Sequence, residues 1–222
     1  MNTDFILGII GLCGGILCAA ADILLDFKGK GNKKYGPAGI LDTNWEKMAP
    51  WRFKASIWVA AIAVPMYMMG CIALYNQLLK GSAVVAGVFG ICAVIGSCGT
   101  MFIHTTLCYF PIMTKTLSAE KTPPETVSNA VNALYRAMIV PFLTFWLLLV
   151  VGLSGIVIYA IWANVLLLPW GFVMLTPLSL VLAGLILWMI NRDIFGELPA
   201  ICMPSVGLGM LGLMAALNTL SL

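Results

Sequence analysis

Charge is what this sequence most lacks. Its 222 residues carry 12 Lys and Arg and 9 Asp and Glu, so 9% of the chain is charged. A soluble domain carries about 25%. So few charged side chains cannot cover a soluble surface, and disorder is excluded too, because it needs low hydrophobicity and high charge. Histidine is nearly missing: His104 stands alone, which rules out the usual structural zinc sets. Seven cysteines, with no CxxC pair among them, are too sparse for a disulfide scaffold. No GxGxxG, phosphate-binding loop, HExxH or nucleophile elbow occurs. No lysine lies deep in an apolar run, which excludes a retinal protein of the usual type. No metal and no cofactor is therefore expected.

What is present is apolar. Sixty-one per cent of residues are hydrophobic and mean hydropathy is +1.01. Crossing the hydrocarbon core takes about 20 largely apolar residues in a helix. Six runs qualify, at about 5–25, 55–78, 83–110, 134–160, 165–190 and 200–220. They do not alternate as barrel strands would. The expected fold is a single all-α domain over 1–222, a polytopic bundle of six transmembrane helices. The break between the fourth and fifth runs rests on Trp162-Ala163-Asn164, with Pro169 just beyond.

Basic residues collect on the cytoplasmic side of a membrane. Eleven of the twelve fall in the first, third and fifth connections, from Lys28 to Arg192, and Lys80 is the exception. Those connections are expected to be cytosolic and both termini outside. The N-terminus carries Asp4 and no basic residue before the first run, which fits an uncleaved helix rather than a secretory signal. The net charge of +3 is thus a cytosolic collar, with Lys28, Lys30, Lys33 and Lys34 placed to meet anionic lipid or simply to set topology. A nucleic-acid partner is not expected.

Within the collar, Thr43-Asn44-Trp45-Glu46 fits a capping box, and Trp45, Met48 and Trp51 suggest a short interfacial helix. Thr122-Pro123-Pro124-Glu125 fits a second capping box, opening a helix that runs into the fourth span. Glu125, Asn129, Asn132 and Arg136 then share one face, either solvated or lining a site.

Ionisable groups inside spans are costly and usually face a bundle interior or a wet cavity. Gly8, Gly11, Gly15, Cys18, Asp22 and Asp26 follow one another at helical spacings along the first run. Gly11-x-x-x-Gly15 lets helices approach closely, so the same face turns Asp22 inward. Gly90, Ser97 and His104 recur every seven residues in the third run. His104 can move protons near neutral pH, although a lone histidine is more often structural. Asp22 and His104 are the candidate acid–base pair. Arg136 and Asn132 are candidates to hold a ligand, as are Asp26 and Tyr67, the latter beside Pro65.

Asp22-Ile23-Leu24-Leu25-Asp26, Pro65-Met66-Tyr67-Met68-Met69-Gly70 and His104 ahead of Tyr109-Phe110 together resemble a family of small bacterial six-helix membrane proteins that is catalogued only as a domain of unknown function. The resemblance implies a six-helix bundle in the bacterial cytoplasmic membrane and brings no activity with it. Three functions are compatible with the residues. The first is a cytosol-facing cavity that binds a small apolar or amphipathic molecule, with or without chemistry at Asp22 and His104. The second is a transporter, against which stands the lack of a repeat between the two halves. The third is a partner-binding membrane protein without chemistry. The number of copies in an assembly is left open.

Overall fold

The computed structural model describes residues 2–37, 39–191, 195 and 198–220. The fold is all-α. Helices α1 (Thr3–Asp26), α2 (Pro50–Gly81), α3 (Ala83–Ala119), α4 (Pro124–Trp162), α5 (Pro177–Ile190) and α6 (Leu198–Asn218) follow in this order; short turns join α2 to α3 and α3 to α4, residues 163–176 lead from α4 to α5, and a longer segment lies between α1 and α2. That segment holds a two-residue hairpin, β1 (Lys34–Tyr35) against β2 (Leu41–Asp42), and a 3₁₀ turn over Thr43–Lys47.

Five of the helices are long and apolar enough to cross a membrane, which marks an integral membrane protein. The fifth expected run departs from a spanning helix. Residues 163–169 form a turn, Trp170–Leu175 a 3₁₀ segment, and α5 has only 14 residues, about 21 Å of helix. Pro169 and Pro177 explain the break, since each lacks an N–H and forces extended backbone on the residue before it. Thr176 is extended, at φ −66° and ψ 153°. Irregular backbone at membrane depth survives only where protein supplies its partners. Here Thr176 Oγ1 and Ser179 Oγ donate to the Val173 carbonyl at 2.9 and 2.8 Å, and Ser154 Oγ of α4 accepts from Leu178 N at 2.9 Å.

The bundle centre is built on glycine. α1 runs antiparallel to α2 and α6, and the three meet where Gly11, Gly70 and Gly212 converge. A Cβ on Gly212 would fall 2.5 Å from the Gly8 carbonyl oxygen and 2.7 Å from Leu12 N. Tyr67, Leu74, Phe89, Leu153, Leu211 and Met214 complete the core around this contact.

Both termini lie at one end of the bundle. Asn76 Nδ2 donates to Asp4 Oδ1 at 2.9 Å, Gln77 Nε2 to the Ala215 carbonyl at 2.8 Å, and Asn218 Nδ2 to Gln77 Oε1 at 2.8 Å. Among the described residues, the basic side chains other than Lys80 lie toward the opposite end. α3 and α4 have 37 and 39 residues, about 55 Å each, so both outrun a hydrocarbon core of about 30 Å. Their projecting ends carry the segment between α1 and α2. Lys115 Nζ of α3 donates to the Trp45 and Glu46 carbonyls at 3.2 and 2.6 Å, and Gly36 packs on Ser128 of α4.

Neither expected capping box forms. Thr43 Oγ1 accepts from Lys33 N at 2.9 Å across the hairpin, so it is spent before it can cap the 3₁₀ turn. Trp45 and Met48 are buried beneath the segment with Leu25, Leu41 and Phe53, rather than lying at an interface, while Trp51 is exposed. At the start of α4 a proline does take the first helical position, but it is Pro124, one residue later than a Thr122 cap requires, and Pro123 occupies the cap and offers no side chain to it.

Lys28 holds this segment to α1. Its ammonium lies 3.0 Å from both Asp26 Oδ1 and Asp42 Oδ2, and Asp42 is 3% exposed. Burial alone would lower the Lys28 pKa, but the two carboxylates outweigh it and hold it above the ordinary lysine value of 10.5. A raised cation contributes stability that is complete below its unfolded value and is lost as pH rises through the folded one. The pair should therefore hold through neutral pH and weaken only in strong alkali. Lys28→Met leaves two carboxylates facing each other without a cation, and is expected to cost about 3 kcal/mol. The check is hydrogen exchange across residues 29–49: fast exchange at neutral pH in the variant, slow in the wild type up to pH 10.

Candidate functional site

Asp22 lies about one turn from the end of α1, on the glycine face that packs against α6 and α2. That placement brings it to Ser205 of α6, whose Oγ donates to Asp22 Oδ2 at 2.6 Å. On its other oxygen, Asp22 Oδ1 stands 3.4 Å from His104 Nδ1 of α3. The far side of the ring is held as well: His104 Nε2 is 2.8 Å from Ser56 Oγ of α2. Four helices thus supply one connected polar chain, Ser205, Asp22, His104 and Ser56, in an otherwise apolar bundle.

Hydrogen-bond valence assigns the ring protons. Ser56 Oγ donates to the Ala21 carbonyl at 2.8 Å, and a hydroxyl has one proton. Ser56 must then accept from His104 Nε2–H, as it accepts from the Cys108 thiol at 3.5 Å. With Nε2 protonated, a bare Nδ1 would set its lone pair against the Asp22 carboxylate. A proton between Nδ1 and Oδ1 turns that approach into a hydrogen bond. The unit is therefore built to hold one shared proton, and Ser205 steadies the second carboxylate oxygen.

Ser205, Asp22 and His104 form the floor of a cavity of about 240 Å³ between α1, α3, α4 and α6, with Ser56 behind the ring. Asp22, Asp26, His104 and Ser205 are its ionisable and hydroxyl-bearing lining, together with Thr100. Phe142, Phe145 and Trp146 of α4 and Ile201, Pro204 and Leu208 of α6 form the apolar walls. Between Phe145 and Ser154 the backbone of α4 passes through a π turn, Leu147–Gly152, a geometry common at functional sites. It turns Leu149 and Val150 onto the cavity. Asp22 keeps 16% of its side chain exposed, so the floor is reachable and not sealed in the core.

Of the residues proposed from sequence, Asp22, His104 and Asp26 meet at this cavity. Arg136 does not: it is exposed on α4 and lines no part of it. Glu125 and Asn129 share that exposed face, and Asn132 is half-buried outside the cavity. Tyr67 is fully buried in the core between α1 and α2, and its hydroxyl and that of Ser97 have no hydrogen-bond partner among the described residues. Lys28 is engaged by carboxylates, whereas Lys30, Lys33 and Lys34, expected to meet anionic lipid with it, are exposed. Arg192 lies outside the described residues. Ser56 and Ser205 were not singled out from sequence, although each is an isolated hydroxyl in an apolar run, one helical face from small residues. Among the described residues, no group of three or more His, Cys, Asp and Glu is placed to hold a metal ion.

Comparison with known proteins places the whole arrangement in one family. The family of unknown function DUF6796 matches residues 1–221. The chain belongs to that family. No curated protein and no solved structure matches it. The family description carries no activity, so the reading of this DUF6796 protein rests on its own site.

Proposed function

We propose that this DUF6796 protein binds a small, partly apolar molecule in the cavity floored by Asp22 and His104, and that the pair exchanges a proton with it. The observation that carries the reading is the continuous chain from Ser205 through Asp22 and His104 to Ser56, with contacts of 2.6, 3.4 and 2.8 Å, opening on an apolar cavity. A purely structural histidine needs no accessible carboxylate and no cavity beside it. A proton relay needs both, with donor and acceptor within about 3 Å of the reacting group when it is bound.

Topology supports a direction. The cavity lies toward the end of the bundle that carries the basic residues, and such residues mark the cytosolic side. In this reading both termini are outside, α5 with the irregular segment before it completes a sixth crossing, and the cavity belongs to the cytosolic half. The resemblance noted in the sequence suggests the bacterial cytoplasmic membrane. Lys30, Lys33 and Lys34 would then face anionic headgroups.

The test is to extract the protein from its native membrane, strip it under denaturing conditions and identify small molecules by mass spectrometry. A molecule retained by wild type and lost from both Asp22→Asn and His104→Ala is the expected result. Equal retention by all three proteins, or no retained molecule other than bulk lipid, counts against the reading.

A further inference from the structure

The cavity's walls say more than that something apolar binds. α4 packs on α3, and α6 packs on α1 and α5, but α4 and α6 scarcely touch each other. Phe142, Phe145 and Trp146 face Ile201 and Pro204 across this gap, all of them only partly buried. On the same stretch of α4, Val140 is 68% exposed, Leu143 49% and Leu147 51%. An apolar surface that open is a lipid-facing one in a membrane helix. The cavity thus has a sideways mouth toward the hydrocarbon, with its polar groups at the back.

The charge at the back is acidic. Among the described residues, Asp22 and Asp26 line the cavity, and Asp42 stands behind Asp26 across Lys28. Among the described residues, Lys28 bridges Asp26 and Asp42, and Arg52 is spent on the Ile23 and Phe27 carbonyls, so His104 is the one basic side chain in the cavity lining beside the two carboxylates. Arg136, the residue that could have met an anion, is elsewhere. Phe145 and Trp146 add aromatic rings to the lining, and ring faces attract cations.

Building on the reading above, we propose that the ligand is an amphiphile with a cationic, amine-type head that slides in from the bilayer between α4 and α6, head against Asp22 and chain against the α4 aromatics. Desolvating an ammonium is expensive unless a carboxylate meets it, so the head selects the Asp22 end of the cavity. An anionic head of the same size would meet the Asp22 and Asp26 carboxylates and be rejected.

The experiment uses the full chain in phosphatidylcholine nanodiscs and three probes of equal chain length: dodecylamine, dodecanol and dodecyl phosphate. Binding is read by native mass spectrometry. Dodecylamine is expected to bind at least about tenfold more tightly than either other probe, and to lose that advantage in Asp22→Asn. Dodecanol or dodecyl phosphate binding as tightly, and still dependent on Asp22, overturns the cationic head and leaves the cavity reading intact. Failure of all three to bind in an Asp22-dependent way overturns both. Ile201→Trp, at the mouth, tests the route. It is expected to slow dodecylamine binding by about tenfold, while butylamine, which stays in water, binds at an unchanged rate. An unaltered dodecylamine rate overturns the sideways route. Asp26→Asn, which leaves the α1–α6 contact untouched, repeats the charge test should Asp22→Asn fold poorly.

Discussion

Replacing Gly212 with leucine is expected to leave little folded protein. The position has no room toward α1: the nearest atoms to a built Cβ are the Gly8 carbonyl oxygen at 2.5 Å, Leu12 N at 2.7 Å and Gly11 C at 2.9 Å, all of them backbone. A flexible side chain could swing away from such an intruder, but backbone in the middle of a packed helix cannot. Relief requires α1 and α6 to separate, and that separation removes the contact which also presents Ser205 to Asp22. Overpacking a core costs about 1–3 kcal/mol where side chains can adjust, and here the cost should exceed that range. Even Gly212→Ala should be felt. Gly155 and Gly87, which would meet nothing within 4 Å, provide the controls: alanine there is expected to change little. Thermal unfolding in mild detergent, followed by size-exclusion profile, checks the series. Gly212→Leu eluting and melting like wild type would mean that the glycine contact does not hold the bundle together.

That contact shows what a sequence can disclose about this kind of protein. Glycines at helical spacing in α1, continuing to Cys18 and Asp22, identify an inward face because small residues are the means by which membrane helices approach. The same logic placed His104 among Gly90, Ser97 and Thr100. Asp22 and His104 do meet, since each lies on the small-residue face of its helix. Arg136 was inferred from depth and spacing alone. Its neighbours Glu125 and Asn129 are all-polar, a pattern that fits a solvated face as well as a cavity, and a face is set by what the opposite helix offers. Among the described residues, Glu125, Asn129 and Arg136 stay exposed.

The remaining gaps have similar causes. The break before α5 is announced by Pro169 and Pro177, but hydropathy is blind to it because Leu, Trp, Phe, Val and Met fill the segment between them. The segment between α1 and α2 is ordered by contacts far apart in sequence. Asn44 Nδ2 donates to the Lys28 and Lys30 carbonyls at 3.0 and 3.2 Å, and Arg52 donates to the Ile23 and Phe27 carbonyls at 3.2 and 3.0 Å, closing the end of α1. Capping boxes are local patterns, and at Thr43 a non-local partner won. Ser56 and Ser205 are single hydroxyls among small and apolar residues, too weak a pattern to single them out. Their importance appears only once α2 and α6 are laid beside α1.

The shared proton proposed for the Asp22–His104 pair has the largest expected consequence. His104 is the sole histidine, so labelling with ¹⁵N-histidine reports on this ring and no other. In wild type the expected spectrum shows Nε2 protonated, with Nδ1 in a hydrogen bond to Asp22. In Ser56→Ala the Nε2 partner is gone, and the ring is free to change tautomer. In Asp22→Asn an amide N–H can donate to Nδ1, so the ring should become neutral with its single proton on Nε2. A wild-type ring protonated at Nδ1 alone would contradict the valence argument, because Ser56 would then have to donate twice with one proton. The functional counterpart is a double-mutant comparison. A hydrogen bond to a charged group contributes about 1.5–3 kcal/mol, so Asp22→Asn and His104→Gln should each weaken binding of the native ligand by about 10- to 100-fold. If the two residues act as one proton-holding unit, the double variant should be little worse than either single one. Additive losses would show two independent contacts, and would remove the relay while leaving the cavity.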